Sequence, residues 1–203
     1  MRQILTVIFL VFLIFNSHSQ SSSLDSLRLV LPIGHTLSMN SVQFSPDGNY
    51  LVSSSLDRTC RLYDVKKGKE ILSFVGHKKG IVNSSFSNCG KYLVTSSYDK
   101  KARIYEVSSG KTIQILEGHE NWINNAVFSE DSRYVLTSSM DKTARLYDVI
   151  SGKQLRLFLG HSQAVKNAVF GLNDKTVLTF SNDSTAKLFD VLTGKEIFSF
   201  NQH

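Results

Sequence analysis

The stretch SSMDKTARLYD, residues 138–148, gathers a hydroxyl pair, an aspartate and two cations in the manner of a reactive loop. The chain writes nearly the same words three more times: SSLDRTCRLYD at 54–64, SSYDKKARIYE at 96–106 and FSNDSTAKLFD at 180–190. The interval is 42 residues throughout, and other columns keep it. Gly-His pairs stand at 34–35, 76–77, 118–119 and 160–161, and phenylalanines at Phe44, Phe86, Phe128 and Phe170. Four copies in register without an insertion mark a repeat architecture, so function has to be read from the repeat and from its departures.

Within the third copy, WINNAVF, YVLTSS, ARLYDV and QLRLFL are apolar, β-branched runs separated by SEDSR, MDKT and ISGK. Alternation over five to seven residues between turn clusters predicts strands, and no run has the 3.6-residue spacing of an amphipathic helix. Four strands per copy make an antiparallel meander. A single such sheet cannot bury both faces, so neighbouring copies must stack.

Gly-His, an apolar stretch, a turn aspartate and an aromatic-acid pair six residues later resemble the WD-repeat β-propellers over residues 34–200. The resemblance implies an all-β fold of four-stranded antiparallel blades, each repeat giving the outer strand of one blade and the inner three of the next. It also implies a structural hydrogen-bond chain through His35, His77, His119 and His161, the aspartates Asp57, Asp99, Asp141 and Asp183, and the hydroxyls of Ser53, Thr95, Thr137 and Thr179. The family's tryptophan is replaced by Tyr63, Tyr105, Tyr147 and Phe189. Phenylalanine offers no donor, so the fourth blade is expected to be the least well tied.

His119, Thr137 and Asp141 taken alone suggest nucleophilic hydrolysis. An enzyme needs one relay, however, not four at equal spacing, and scaffolding is the reading preferred for all four. No catalytic residue, metal or cofactor is expected. Histidines 42 residues apart belong to different blades, the aspartates lack calcium-loop spacing, and Gly68-Lys69 and its equivalents are hairpin turns rather than phosphate loops. The column Arg61, Arg103, Arg145 and Lys187 is expected to lie along blade surfaces with its heads solvated or paired.

Departures from the repeat are more informative. Before the turn aspartates stand Leu56, Tyr98, Met140 and Asn182; three residues after the histidines stand Ser38, Gly80, Trp122 and Ala164; five after, Asn40, Val82, Asn124 and Lys166. The only tryptophan thus joins Tyr98, Met140 and Leu56 at positions the scaffold leaves open, the composition of an interface centre. From this set Trp122, Tyr98, Met140, Leu56, Asn40, Asn124 and Lys166 are the candidate partner-binding residues, and a protein partner is the first expectation. A carbohydrate or small ligand is the alternative, taken by aromatic stacking with the amides of Asn40, Asn124 and Asn182.

The chain begins MRQILTVIFLVFLIFNSHSQ. One charge precedes a short apolar run, Ile4 to Phe15, too short to span a bilayer, and Ser17-His18-Ser19 supplies a small-residue cleavage site. Residues 1–19 are therefore expected to be a secretory signal, leading to a secreted or periplasmic protein with no membrane span in the mature chain. An uncleaved anchor is the competing reading. Net charge is +6 over 203 residues, without the clustered basic stripe of a nucleic-acid binder. Cys60 fills a column of alanines and Cys89 a turn, so no disulfide is expected.

The expected layout is 1–19 signal, 20–33 a lead-in carrying an orphan outer strand (SLRLVLPI, 26–33), then repeats at 34–75, 76–117, 118–159 and 160–201 within 34–203. His203 falls one repeat length after His161, so either a longer chain or two self-associating chains are expected to complete the ring.

Overall fold

Each 42-residue copy folds into one antiparallel sheet in the computed structural model of the protein, which describes residues 34–201. Strands β1 Met39–Phe44, β2 Tyr50–Ser55, β3 Cys60–Asp64 and β4 Lys69–Phe74 form sheet 1 in chain order. Sheet 2 holds β5 Ile81–Phe86, β6 Tyr92–Ser97, β7 Ala102–Glu106 and β8 Thr112–Leu116. Sheet 3 holds β9 Ile123–Phe128, β10 Tyr134–Ser139, β11 Ala144–Asp148 and β12 Gln154–Phe158. Sheet 4 holds β13 Val165–Phe170, β14 Thr176–Ser181, β15 Ala186–Asp190 and β16 Glu196–Phe200. The architecture is all-β, four blades of the propeller type. The candidate signal 1–19, the lead-in strand 26–33 and His203 lie outside the described residues.

The core lies between sheets, which explains why the second strands carry adjacent apolar residues instead of a simple alternation. In the Leu93-Val94 doublet of β6, Leu93 faces sheet 1 with Tyr105 and Phe86, against Val52, Leu62 and Phe74. Val94 points the other way, with Ile104 and Leu116, against Ile123, Val135 and Tyr147 of sheet 3. Leu136, Leu146 and Phe158 then meet Ala168, Val177 and Phe189 of sheet 4. Each sheet thus has a forward face for its successor and a backward face for its predecessor. Cys60 is fully buried in the alanine column, and both cysteines are free.

Every first strand opens with a register shift against the second, between Met39 and Ser41, Ile81 and Asn83, and Val165 and Asn167, with a matching shift in sheet 3. A bulge of this kind lifts one residue out of the ladder and re-aims its side chain. The lifted residue belongs to the column Asn40, Val82, Asn124 and Lys166. Asn40 donates to the Ile81 carbonyl of sheet 2 at 2.7 Å, and Asn124 to the Val165 carbonyl of sheet 4 at 2.8 Å.

Candidate functional site: the polar relays and the apolar rim

In sheet 3 the turn aspartate receives four donors. Oδ2 of Asp141 accepts from His119 Nδ1 at 2.7 Å and the Glu120 N–H at 3.0 Å, while Oδ1 accepts from the Thr143 N–H at 3.0 Å and its hydroxyl at 2.6 Å. On the far side of the ring, His119 Nε2 lies 2.8 Å from Thr137 Oγ1. Burial pushes the His119 pKa down, against the pull of Asp141, which favours the neutral imidazole at neutral pH. The consistent tautomer has Nδ1–H donating to the carboxylate and Nε2 accepting from the Thr137 hydroxyl. Burial also works to raise the Asp141 carboxyl, but the donors from His119, Thr143 and Glu120 outweigh it and hold it well below the usual carboxylate range. At Asp99 the same contest, burial against His77 and the backbone donors, brings the pKa to about 2.

The pattern recurs at His35 with Asp57 and Ser53, His77 with Asp99 and Thr95, and His161 with Asp183 and Thr179, all at 2.7–2.9 Å. Sheet 4 therefore keeps its His–Asp–hydroxyl set intact, and what it lacks is the aromatic donor on which its weaker tie was expected. Only the aromatic end differs. The hydroxyls of Tyr105 and Tyr147 donate to the carbonyls of Val75 and Glu117, at 3.3 and 2.9 Å, and Phe189 has no hydroxyl to give. The tyrosines thus reach the residue before Gly-His instead of the strand hydroxyl, because the phenol extends past the position of an indole N–H. With Thr137 fully buried and His119 nearly so, each relay pins the Gly-His loop to the turn that follows β2, β6, β10 or β14. Gly118 is part of that pin. Its φ is +121°, and a Cβ there would lie 2.7 Å from Arg145 Nη1.

Three members of the basic column are paired along the blades, Arg61 with Glu70, Arg145 with Gln154 and Lys187 with Glu196, at 2.6–2.8 Å, while the Arg103 Nε is buried without a partner among the described residues.

The relays bring the variable positions to one edge of the sheets. The N–H groups of Leu56, Tyr98, Met140 and Asn182 donate to the carbonyls of Ser38, Gly80, Trp122 and Ala164, closing the two loops of each blade together. Across the seam between sheets 2 and 3, the Tyr98 ring meets Trp122 edge-on, centroids 4.8 Å apart at 86°. Trp122 is still 42 % exposed, and Tyr98, Met140 and Leu56 are half-buried. Leu56 crosses the preceding seam and covers Gly80. Around this apolar rim stand the exposed cations Arg58, Lys78, Lys79, Lys100 and Lys142. The turn aspartates beside them are turned inward onto histidine and backbone donors, so of these loops' exposed charges only Glu120 opposes the five cations. Asn40 and Asn124 are committed to the neighbouring sheets, while Lys166 is exposed on β13.

Two side-chain contacts between sheets escaped the sequence reading. One is the cross-seam contact of Tyr98 with Trp122. The other is a side-chain ladder in which Asn83 donates to Asn125 and Asn125 to Asn167. The signal for the ladder was present as an asparagine column at the repeat interval, one residue beyond the bulge. Among the described residues, no helix is long and apolar enough to cross a membrane, and no three His, Cys, Asp or Glu side chains converge as a metal site.

Comparison with known proteins agrees with this geometry. The family profile described as WD40, "WD domain, G-beta repeat", matches residues 15–64, 68–106, 110–148 and 152–190. The second to fourth matches each start at the last strand of one sheet and run through the third strand of the next, β4 through β7 being the first such set. Ribosome assembly protein 4 of Saccharomyces cerevisiae is 49 % identical over 41 residues, which is 20 % of this chain and 8 % of that protein. The chain therefore matches only a small part of that relative, about one repeat's worth.

Proposed function

The chain belongs to the WD40 family, and from that premise we propose that it is an exported, non-catalytic scaffold that holds another protein through the rim centred on Tyr98 and Trp122. The observation that carries the reading is the exposed Trp122 ring, buttressed by Tyr98, joined to Met140 through its backbone, and followed along the rim by Leu56 at the preceding seam. A rigid aromatic with one edge already packed loses little freedom on binding, which suits the centre of an interface. The surrounding cations favour a partner segment with acidic residues beside an apolar anchor. Engagement of two of the three amides of the carbohydrate reading, Asn40 and Asn124, with neighbouring sheets favours a protein over a sugar, and leaves the exposed Asn182 as the remaining one. The one-repeat likeness to a ribosome assembly protein speaks for the repeat and not for that protein's partners. Export rests on the short apolar run and small-residue site of residues 1–19.

Affinity capture from the native host, with wild type beside Trp122→Ala, tests the reading. Loss of about 2 kcal/mol or more in partner affinity is expected, with the fold retained. Unchanged affinity alongside reduced stability would make Trp122 a packing residue and move the interface elsewhere. Binding on a glycan array with no captured protein would favour the carbohydrate alternative. Intact mass of the native protein checks cleavage after Ser19.

A further inference from the structure

Three times in this chain the forward face of one sheet packs on the backward face of the next, and the same residue columns make the contact each time. Sheet 4 carries those forward columns too, in Leu178, Leu188 and Phe200, and adds Phe198 at the position of Leu72, Gln114 and Arg156. Phe200 continues the column of Phe74, Leu116 and Phe158, yet it is 47 % exposed where Phe158 is 2 %. Phe198, also exposed, lies 4.7 Å from it, centroid to centroid. Phe180 adds a further exposed ring on this face, in a column that is serine in the other three sheets. At the other end, sheet 1 presents the backward columns: Met39, Val42 and Phe44 are exposed, Phe44 at 42 % against 5 % for its equivalent Phe86.

The polar contacts are left open in the same direction. Asn125 donates to Asn167, but the Asn167 amide nitrogen meets no further acceptor among the described residues. The next position in that frame on a sheet 1 is Ser41, whose hydroxyl is already shared with Ser54 and Ser84, so the amide of Asn167 is the open end of the ladder. Asn40 and Asn124 donate to the carbonyls of Ile81 and Val165. Lys166 is the exposed donor of that column on sheet 4, and the matching carbonyl on a sheet 1 is that of Met39.

We propose that the forward face of sheet 4 receives the backward face of sheet 1 from a second copy of this chain, in the registration of the three internal interfaces. The surfaces are different and complementary, so the contact is head-to-tail, and a two-fold dimer satisfies both ends of both copies at once. Apolar strand faces of this extent on a soluble protein are covered in the working assembly.

Sedimentation of the full chain across micromolar concentrations tests this, with Phe198→Asp and Phe44→Asp as variants and Phe200→Asp as a second change on the sheet 4 face. All three rings are already solvent-exposed, so each variant is expected to keep the wild-type far-UV spectrum and Trp122 emission. Wild type is expected to be a dimer, and either variant alone a monomer, its dissociation constant raised at least about a hundredfold. Mixing Phe44→Asp with Phe198→Asp restores one intact pair of faces and is expected to give a heterodimer. A monomeric wild type, association that survives the substitutions, or a mixture that stays monomeric overturns the proposal. So does loss of association in Trp122→Ala, since the rim takes no part in this contact.

Discussion

Replacing Asp141 by asparagine exchanges one oxygen for an NH2 group and disables a buried junction. The carboxylate serves two pairs of donors, His119 and the Glu120 N–H at one oxygen, the Thr143 N–H and hydroxyl at the other. An amide has one acceptor oxygen, so one pair loses its partner and meets an NH2 group instead. Two donors unsatisfied in a shielded site, with the charge assistance gone, should cost about 3 kcal/mol. The lone tryptophan sits in the same blade, so urea unfolding followed by Trp122 emission and by far-UV dichroism reads the loss where it occurs. Asp131→Asn is the matched control. Its carboxylate also takes a serine and a backbone donor, but in an exposed turn, and should cost less than about 1 kcal/mol. A double-mutant cycle of Asp141→Asn with His119→Ala should show coupling of at least about 1 kcal/mol. A loss as small as the control's, or strict additivity in the cycle, would refute the claim that the relay is a single structural unit.

Stability should fall with acid in two stages. His119 has a folded pKa below its unfolded value of 6.5, so its contribution is full above pH 6.5 and erodes as pH drops through the folded value. The turn aspartates, lowered from 3.8, contribute fully above about pH 4 and are lost as pH falls toward about 2 at Asp99. Melting temperatures from pH 8 to pH 2 check both stages, and a flat profile below pH 4 would contradict the assignment. Gly80→Ala should destabilise by about 1–3 kcal/mol, because the added Cβ would lie 2.8 Å from Leu56 Cδ2 and 2.9 Å from its Cα, and backbone cannot yield as a side chain can. A neutral result in urea unfolding would mean the loops repack. Tyr147→Phe should cost about 1 kcal/mol for the bond to the Glu117 carbonyl, measured the same way.

Columns repeated at a fixed interval made the strands and the sheet count legible, since Leu93-Val94 and its equivalents bury both faces and the Gly-His and aspartate columns mark the turns. The relay partners were legible through the resemblance to the WD-repeat propellers, which assigns the hydrogen-bond chain to the histidine, aspartate and hydroxyl columns. The rim was legible only as a set of positions. Aligning repeats places Tyr98 beside its equivalents Leu56 and Met140, whereas in space it touches Trp122, which belongs to a different column of the next repeat. Asn40 looked like a free amide because a bulge has no signature in residue types, and only the register shift shows where it points. The reach of the tyrosines went unread because their acceptors are backbone carbonyls, which no side-chain column records.

The seams carry a lesson for anyone who would re-tool this protein. Leu56 rests on Gly80, and Tyr98 on Trp122, so what one blade offers at its turn is fitted to what its successor offers after Gly-His. A transplant cut at the Gly-His boundaries would set Tyr98 over a glycine or Leu56 against an indole. The exchangeable cassette runs instead from one turn aspartate's predecessor to the loop after the following histidine, 98–122 in the central pair. Diversity on this rim is inherited in couples, and libraries that randomise Trp122 alone will sample mostly mismatched seams.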